Sequence, residues 1–447
     1  MEARIIAAAL LVVLATAFSP ARFSSSAVAQ SSPVAQSPPD AMTRELRVAS
    51  LVRDLGSPSF VRREAADAEL ANIGAAAVRE IEIAADSEDL EVRTRARRLL
   101  RQLKIGALWQ GSLLELPTRE MAGRDLVRQL CEQTGSSTWA GDQYGAFHPG
   151  AVTLPSRPLR YWEAVDELCR QTKNRVRPGF AEARSGWVLV AGEAGDYPLA
   201  YTGPFRGQLR EARRFFVEEF DYRDGTSDVS HAVQLNFQIS WEDPFRLVAH
   251  GSELEVVKLR DETRGRQPVD SNTRPVWQVF ENSRKQATLS VRLDPPPAGV
   301  TQLAELTVRW PVFAVGEMAT LEADDLQDGA MYAQDDVQLV IERVRRLGSL
   351  WELTVAVSRD RVTPEPAEIL YLENDFALVD AAGEAYPQRN LTKLGITAST
   401  ARMKLTFALP SATEESMKLR LRYPQLRDQR AIELTFEDVA LPAVLPR

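Results

Sequence analysis

The sequence predicts a multidomain α+β chain: a short helical module, a βαβ–βαβ unit and two β-sandwiches, in that order. Three observations predict it. A length of 447 residues calls for two to four units at roughly 100–200 residues each. Apolar residues recur at helical spacing in several stretches between 43 and 172. After Pro198 that period gives way to apolar–polar alternation broken by turn residues, the mark of half-buried strands.

Composition bounds the class. Hydrophobic residues make up 44% and charged residues 26%, globular values that exclude a wholly disordered, collagen-like or polytopic membrane chain. Lys+Arg total 54 against 62 Asp+Glu, a net charge of −8. That balance argues against a nucleic-acid partner, because phosphate binding needs a basic surface. Two cysteines cannot staple a chain this long, and His148, His231 and His250 are too scattered for a typical zinc site. No metal or cofactor is expected.

Residues 1–29 read as a signal peptide. Ile5 to Phe18 is an apolar run shorter than the roughly 20 residues that span a bilayer. Ala27-Val28-Ala29 then offers the small side chains that signal peptidase needs. Cleavage between Ala29 and Gln30 places the mature chain in the periplasm or outside the cell. It leaves 52 basic and 61 acidic residues, a net charge of −9, and no membrane span. An uncleaved N-terminal anchor is the alternative. Residues 30–42 are rich in Ser, Pro, Gln and Ala without periodicity. They cannot bury enough apolar area to offset their ordering entropy and read as a disordered leader.

Residues 43–106 read as the helical module. Leu46, Leu51, Val52 and Leu55 share one face before Gly56. Ser57-Pro58-Ser59 opens a second helix whose apolar face is Val61, Ala65, Ala68, Leu70 and Ile73. Ala77, Val78, Ile81 and Ala84 form a third. Asp86 to Asp89 caps a fourth, with Val92, Ala96, Leu99, Leu100 and Leu103 inward. The D-x-x-x-x-E-V-R-x-R-A run within residues 55–103 resembles HEAT-type helical repeats, about one and a half units of them. Such arrays need about three units to bury their own core, so the resemblance implies a cap or docking element. Arg93, Arg97 and Arg101 share one face of the fourth helix. They are candidates for binding an acidic partner, or an ordinary solvated face with Glu/Arg pairing.

Residues 111–192 read as the βαβ–βαβ unit. Ser112 to Leu116 is a strand and Gly123 to Thr134 an amphipathic helix ended by Gly135. Ser136 to Ala140 and Ala151 to Leu154 are strands. Tyr161 to Thr172 is a second helix, and Arg175 to Pro178 and Trp187 to Ala191 close the unit. L-V-R-Q-L-C-E-Q-T and A-V-D-E-L-C-R-Q-T make an internal repeat of about 38 residues. Leu126, Leu130, Gln133, Thr134 and Gly135, then Ala164, Val165 and Leu168, match the two helix motifs of the STN domain. This segment resembles that domain, which stands at the start of TonB-dependent signalling receptors and of secretins. The resemblance implies a non-catalytic docking role onto another envelope protein. Two departures are the aromatics Tyr144 and Phe147 in the Gly141–Gly150 loop, and a following segment that reads as neither receptor barrel nor secretin. Trp139, Tyr144 and Phe147 are candidates for contacting a partner or stacking on sugar, or for burial in the core. Cys131 and Cys169 occupy equivalent repeat positions. They read as a disulfide between the helices or as two small buried hydrophobes.

Residues 198–318 and 319–447 read as two sandwiches, with the boundary near Glu317 to Asp328. In the first, Val233, Leu235, Phe237 and Ile239 alternate, as do Leu289, Val291 and Leu293, then Leu306, Val308 and Trp310. The turns or linkers fall at Asp270 to Pro275 and Pro295-Pro296-Pro297. The second has Val337, Leu339 and Ile341, a Trp351-to-Val357 strand, and a Phe376-to-Tyr386 hairpin turning near Gly383. Met403 to Leu409, Leu419 to Tyr423 and Ile432 to Phe436 complete it. Six or seven strands in this span match the size of an immunoglobulin-like sandwich, without the Cys…Trp…Cys signature.

The chain lacks G-x-S-x-G, H-E-x-x-H, a P-loop and a strand-borne G-x-G-x-x-G. Ser230-His231 has no acid partner in sequence. Glu218, Glu219 and Asp221 offer a carboxylate pair or a charged surface. Asp324, Asp325 and Asp328, with Asp335 and Asp336, offer Ca²⁺ oxygens or solvated loops. The expectation is a non-enzymatic secreted or periplasmic protein that docks onto another envelope protein through its βαβ–βαβ and helical modules. The alternatives are a carbohydrate- or metal-binding envelope module, and a hydrolase of envelope polymers with an interdomain site.

Overall fold

The computed structural model describes residues 41–442 apart from 117–119, 142–144, 182–183, 244, 262–275, 280–284, 295–298, 360–374, 398 and 411–416. The signal segment, most of the leader, Tyr144, Asp270 to Pro275 and Pro295 to Pro297 lie outside the described residues. The chain is mainly β-sheet, and among the described residues every α-helix precedes residue 173.

Helices α1 (Ala41–Asp54), α2 (Phe60–Ile73), α3 (Val78–Ala84) and α4 (Leu90–Gln110) form the first unit. The leader read to residue 42 thus runs two residues into α1. Leu51, Leu55, Leu70, Ile81 and Leu99 close the core. Val61, expected inward, lies in the first turn of α2 and is 76% exposed; Ala66 and Leu70 supply the buried face instead. A 30-residue repeat is visible in hydrogen bonds. Ser57 Oγ accepts from Ser59 N–H, and Arg63 Nη1 donates to Ser57 O at 2.8 Å. Ser87 Oγ accepts from Asp89 N–H, and Arg93 Nη1 donates to Ser87 O at 2.6 Å. Ion pairs Arg63–Glu91 at 3.2 Å and Arg95–Glu64 at 2.8 Å lay α2 and α4 side by side in the same direction. Helix α4 outruns its own module. Ile105, Leu108 and Trp109 pack into the first sandwich.

The next unit carries α5 (Gly123–Thr134) and α6 (Tyr161–Thr172). Its 38-residue repeat is also geometric. The Gln133 amide accepts from Glu115 N–H at 3.0 Å and donates to Glu115 O at 2.9 Å. Gln171 clasps Thr153 in the same way at 2.8 and 2.7 Å. Each amide ties its helix to the backbone 18 residues before it. Leu113–Leu114 pairs with Leu159–Arg160, and Glu120–Ala122 with Ala151–Thr153. Trp139–Ala140 runs parallel to Arg184–Ala191, which pairs with Asn174–Ala181.

One sheet of the first sandwich orders Gln286–Leu293, Thr226–Trp241, Phe205–Asp221 and Leu199–Thr202. The opposing sheet is built on Gln302–Val315. One edge of that strand pairs with Glu255–Asp261 and then with Arg246–Gly251. Its other edge is covered along the whole length by Arg427–Ala440. The alternation read in the sequence becomes the core: Leu235, Phe237 and Ile239 meet Leu306, Val308, Trp310, Leu434 and Phe436.

That pairing corrects the domain boundaries. The Ile432-to-Phe436 strand, read as part of the second sandwich, belongs to the first. The second sandwich is an insertion. Met318–Ala323, Lys418–Pro424, Asp375–Val379 and Ala385–Pro387 form one of its sheets. Met331–Gln334, Val337–Leu347, Leu350–Arg359, Thr400–Ala408 and Asn390–Ile396 form the other, in that order. The chain leaves at Val315 and returns at Arg427, which are ladder partners. Between the sandwiches Gly316 N–H donates to Leu426 O at 2.9 Å, and Gln425 N–H to Glu317 O at 2.8 Å. Met318 then pairs with Pro424, so one unbroken two-stranded ribbon passes through both sandwiches.

Candidate functional site

The βαβ–βαβ unit is bolted to the first sandwich at the corner 203–243. Trp162 Nε1 donates to Pro204 O at 3.0 Å, and Trp187 Nε1 to Trp241 O at 3.1 Å. Ser137 N–H donates to Asp243 Oδ2 at 2.8 Å, and Ser112 N–H to Glu242 Oε1 at 2.9 Å. Burial raises the Glu242 pKa against the pull of the Ser112 bond. The indoles of Trp162 and Trp187 are fully covered. Their rings lie in the unit's own core, and only the indole N–H groups reach across to the first sandwich.

Beside this bolt a cleft opens between α6, the 193–201 segment and the sheet. It has two adjoining cavities of about 640 and 380 Å³ that share Asp166, Glu193, Tyr197, Arg206 and Gln208. Asp166 anchors the floor. Arg206 grips its carboxylate with two bonds of 2.7 Å, and Tyr201 Oη donates to it at 2.8 Å. Burial works against the Arg206 charge, but Asp166 more than offsets it and the pKa rises. Burial, then the Asp166 charge, pushes the Tyr201 phenol up. The Cys169 thiol on the same wall is also pushed up by burial and by Asp166, so it is a poor source of thiolate. Asp166 is locked in a bidentate ion pair, which disfavours it as a general base.

The smaller cavity is lined by Arg175, Arg177 and Arg210, facing the amides of Gln208, Gln238 and Gln286. Gln238 Nε2 donates to Gln286 Oε1 at 2.7 Å. The Arg210 guanidinium lies over the Tyr197 ring, 4.3 Å from its centroid. A side chain at Gly195, where φ is +69°, would begin 2.2 Å from that ring. Only glycine fits this close approach.

The residues singled out by sequence scatter. Arg93 is turned onto Ser87 O, and Arg97 Nε donates to Ala85 O at 3.0 Å. Both guanidinia bond to a carbonyl of their own loop, and the Arg97 side chain stays 63% exposed. Arg97 and Arg101 line a cleft of about 790 Å³ with Glu317, Asp335 and Asp336. In that cleft Lys104 Nζ pairs with Glu317 at 3.0 Å. The acidic surface they face is the chain's own second sandwich. Phe147 is a core residue, 6% exposed. Trp139 is half-buried, and a side chain at Gly179 would begin 2.3 Å from its ring. Tyr144 lies outside the described residues.

Cys131 and Cys169 are free thiols, and the disulfide weighed from the sequence is not formed. Cys131 Sγ donates to Thr138 O at 3.0 Å, while Cys169 is buried near Asp166. Repeat symmetry gave them equivalent helical positions, but each thiol is engaged on its own side.

The acidic clusters also have protein partners. Asp324 pairs with Lys418 at 2.6 Å, Asp328 accepts from Val344 N–H, Asp335 from Tyr423 Oη, and Asp336 faces Arg359 at 3.5 Å. Among the described residues no group of three His, Cys, Asp or Glu could hold a metal ion. Asp221 caps its own turn at Arg223 N–H; the Glu218, Glu219 and Ser230 side chains lie outside the described residues. Sequence reasoning missed Asp166, Arg175, Arg206 and Arg210. Their only signal is polarity at outward positions, which every solvated residue shares.

No protein-family model, no curated protein and no solved structure matches this chain. Among the described residues no helix is long and apolar enough to cross a membrane.

Proposed function

We propose that this chain is a non-enzymatic protein of the bacterial envelope, periplasmic or secreted after cleavage between Ala29 and Gln30, that holds a partner protein at its helical module. One observation carries the reading. Phe60 and Leu90 open the parallel helices α2 and α4 at the same end, and with Val61 they are 62%, 67% and 76% exposed. Large apolar side chains grouped on a surface mark an interaction site. The HEAT resemblance supports this, because stacked helical repeats present extended surfaces that bind other proteins. The STN resemblance supports an envelope setting. The sandwiches then act as a rigid spacer, through their shared ribbon.

The test is affinity capture from envelope extract with the mature protein as bait. The expected result is one stoichiometric protein held by the parent and lost by a Phe60→Asp/Leu90→Asp variant of unchanged circular dichroism. Equal capture by both, or none by either, overturns the proposal.

A further inference from the structure

We propose that the cleft between the βαβ–βαβ unit and the first sandwich binds an acidic saccharide. Its carboxylate would sit on Arg175 and Arg210 and its hydroxyls on the amides of Gln238 and Gln286. The site is independent of the helical docking surface.

Three observations lead there. The first is charge. Arg175, Arg177 and Arg210 line the 380 Å³ cavity, and Glu193 is the carboxylate set against them once Asp166 is committed to Arg206. Among the described residues neither Arg175 nor Arg210 forms an ion pair, and both are exposed at the rim. Positive charge open to a concave site calls for an anion. Planar guanidinium forks, with no lysine lining the 380 Å³ cavity, match a carboxylate held by two parallel bonds.

The second is the rest of the wall. Gln208, Gln238 and Gln286 come from three neighbouring strands of one sheet, and Gln208 and Gln238 are direct ladder partners. An amide both donates and accepts, so it suits hydroxyl groups rather than a bare ion. The third is continuity. The same outward sheet face carries Gln234, Asn236, Thr288 and Ser290 beyond the cavity mouth. Asn236 pairs with Ser290 and Gln238 with Thr288. Gln234 Nε2 donates to Asn236 Oδ1 at 2.9 Å. A hydroxyl-rich chain seated in the cavity therefore meets further amides and hydroxyls as it leaves. The cavity volume falls within the range of small-ligand sites.

Arg206, Asp166, Tyr201 and Gly195 build the site without being its ligands. The first three fix the floor, Gly195 leaves room for the Tyr197 ring, and that ring carries the Arg210 guanidinium before anything binds.

The probe is a glucuronate-containing tetrasaccharide titrated calorimetrically into the full mature chain. A neutral glucan tetrasaccharide and inorganic phosphate are run beside it. The expected result is binding of the acidic sugar, with the neutral one at least tenfold weaker and phosphate weaker still. An Arg175→Gln/Arg210→Gln variant should lose at least tenfold in affinity. Gln286→Ala should lose several-fold for the acidic sugar without changing the response to phosphate. Both variants alter surface residues, and circular dichroism checks that they fold. No binding of the acidic sugar overturns the proposal. So does equal affinity for the neutral one, phosphate binding as tightly, or unchanged affinity in the arginine double variant.

Discussion

At the scale of single residues, the ion pair Asp166–Arg206 joins two charges held largely out of water. Their side chains are 14% and 7% exposed, and both Arg206 bonds to the carboxylate are 2.7 Å long. Removing one partner strands the other charge out of water. Asp166→Asn should therefore cost about 3–5 kcal/mol, whereas replacing both by apolar residues of similar size should cost less. Urea unfolding of the single variants and the Asp166→Leu/Arg206→Met pair decides it. A double variant less stable than either single one would show that the pair is worth more than its desolvation. This part of the cleft was illegible in the sequence. Asp166 stands in A-V-D-E-L as one more polar residue of an amphipathic helix. Its partner is 40 positions away on a strand, and no spacing rule links a helix to a sheet across a domain joint. Arg93 shows the converse. Its face was legible, but the fold-back onto Ser87 O depends on a loop path that periodicity does not encode.

At the scale of elements, the repeats carried through best. Local hydrophobic period and cap chemistry are short-range, so the helices and the 38-residue repeat could be read directly. The paired Gln133 and Gln171 clasps show why the repeat exists. Helix α4 is the exception, because its end is decided by the sandwich it enters. Trp109 packs against Phe205 and Phe245, with centroids 6.3 and 5.4 Å away, and its Nε1 donates to Asp428 at 2.8 Å. Just beyond, the backbones of Gly111 and Gly203 cross so closely that a side chain on Gly203 would begin 2.1 Å from Trp109 O. Trp109→Ala removes a buried aromatic, a change that typically costs about 3–5 kcal/mol. It should also release the module. The expected outcome is a lower melting temperature together with faster tryptic cleavage between 90 and 112. Arg101→Ala, at a solvated cleft wall, should change stability by about 0.5 kcal/mol or less. Equal proteolysis of the Trp109 variant and the parent would mean that the module is held elsewhere.

At the scale of the whole molecule, the chain is a sandwich interrupted by a sandwich. Alternation cannot reveal this. The burial pattern of Arg427–Ala440 looks the same whichever sheet receives it, and neighbours in sequence are the default partners. The ribbon has a thermodynamic consequence. Arg427–Ala440 covers one whole edge of the Gln302–Val315 strand and brings Leu434, Phe436 and Val439 into the first core. A chain ending at Leu426 loses that edge and those side chains, so its first sandwich should not fold. Removing 318–424 is a far larger deletion but should do less harm. The second core is formed entirely from residues 319–421 and Tyr423, and the cut ends, Glu317 and Gln425, are already hydrogen-bonded neighbours. Joining them through Asn-Gly supplies the turn that suits a tight hairpin. The shortened chain should unfold in one cooperative urea transition and keep the near-ultraviolet signal of buried Trp241 and Trp310. The truncated chain should show neither in its first sandwich. A shortened chain that fails to fold would mean that the insertion is a working part of the first core rather than a guest in its ribbon.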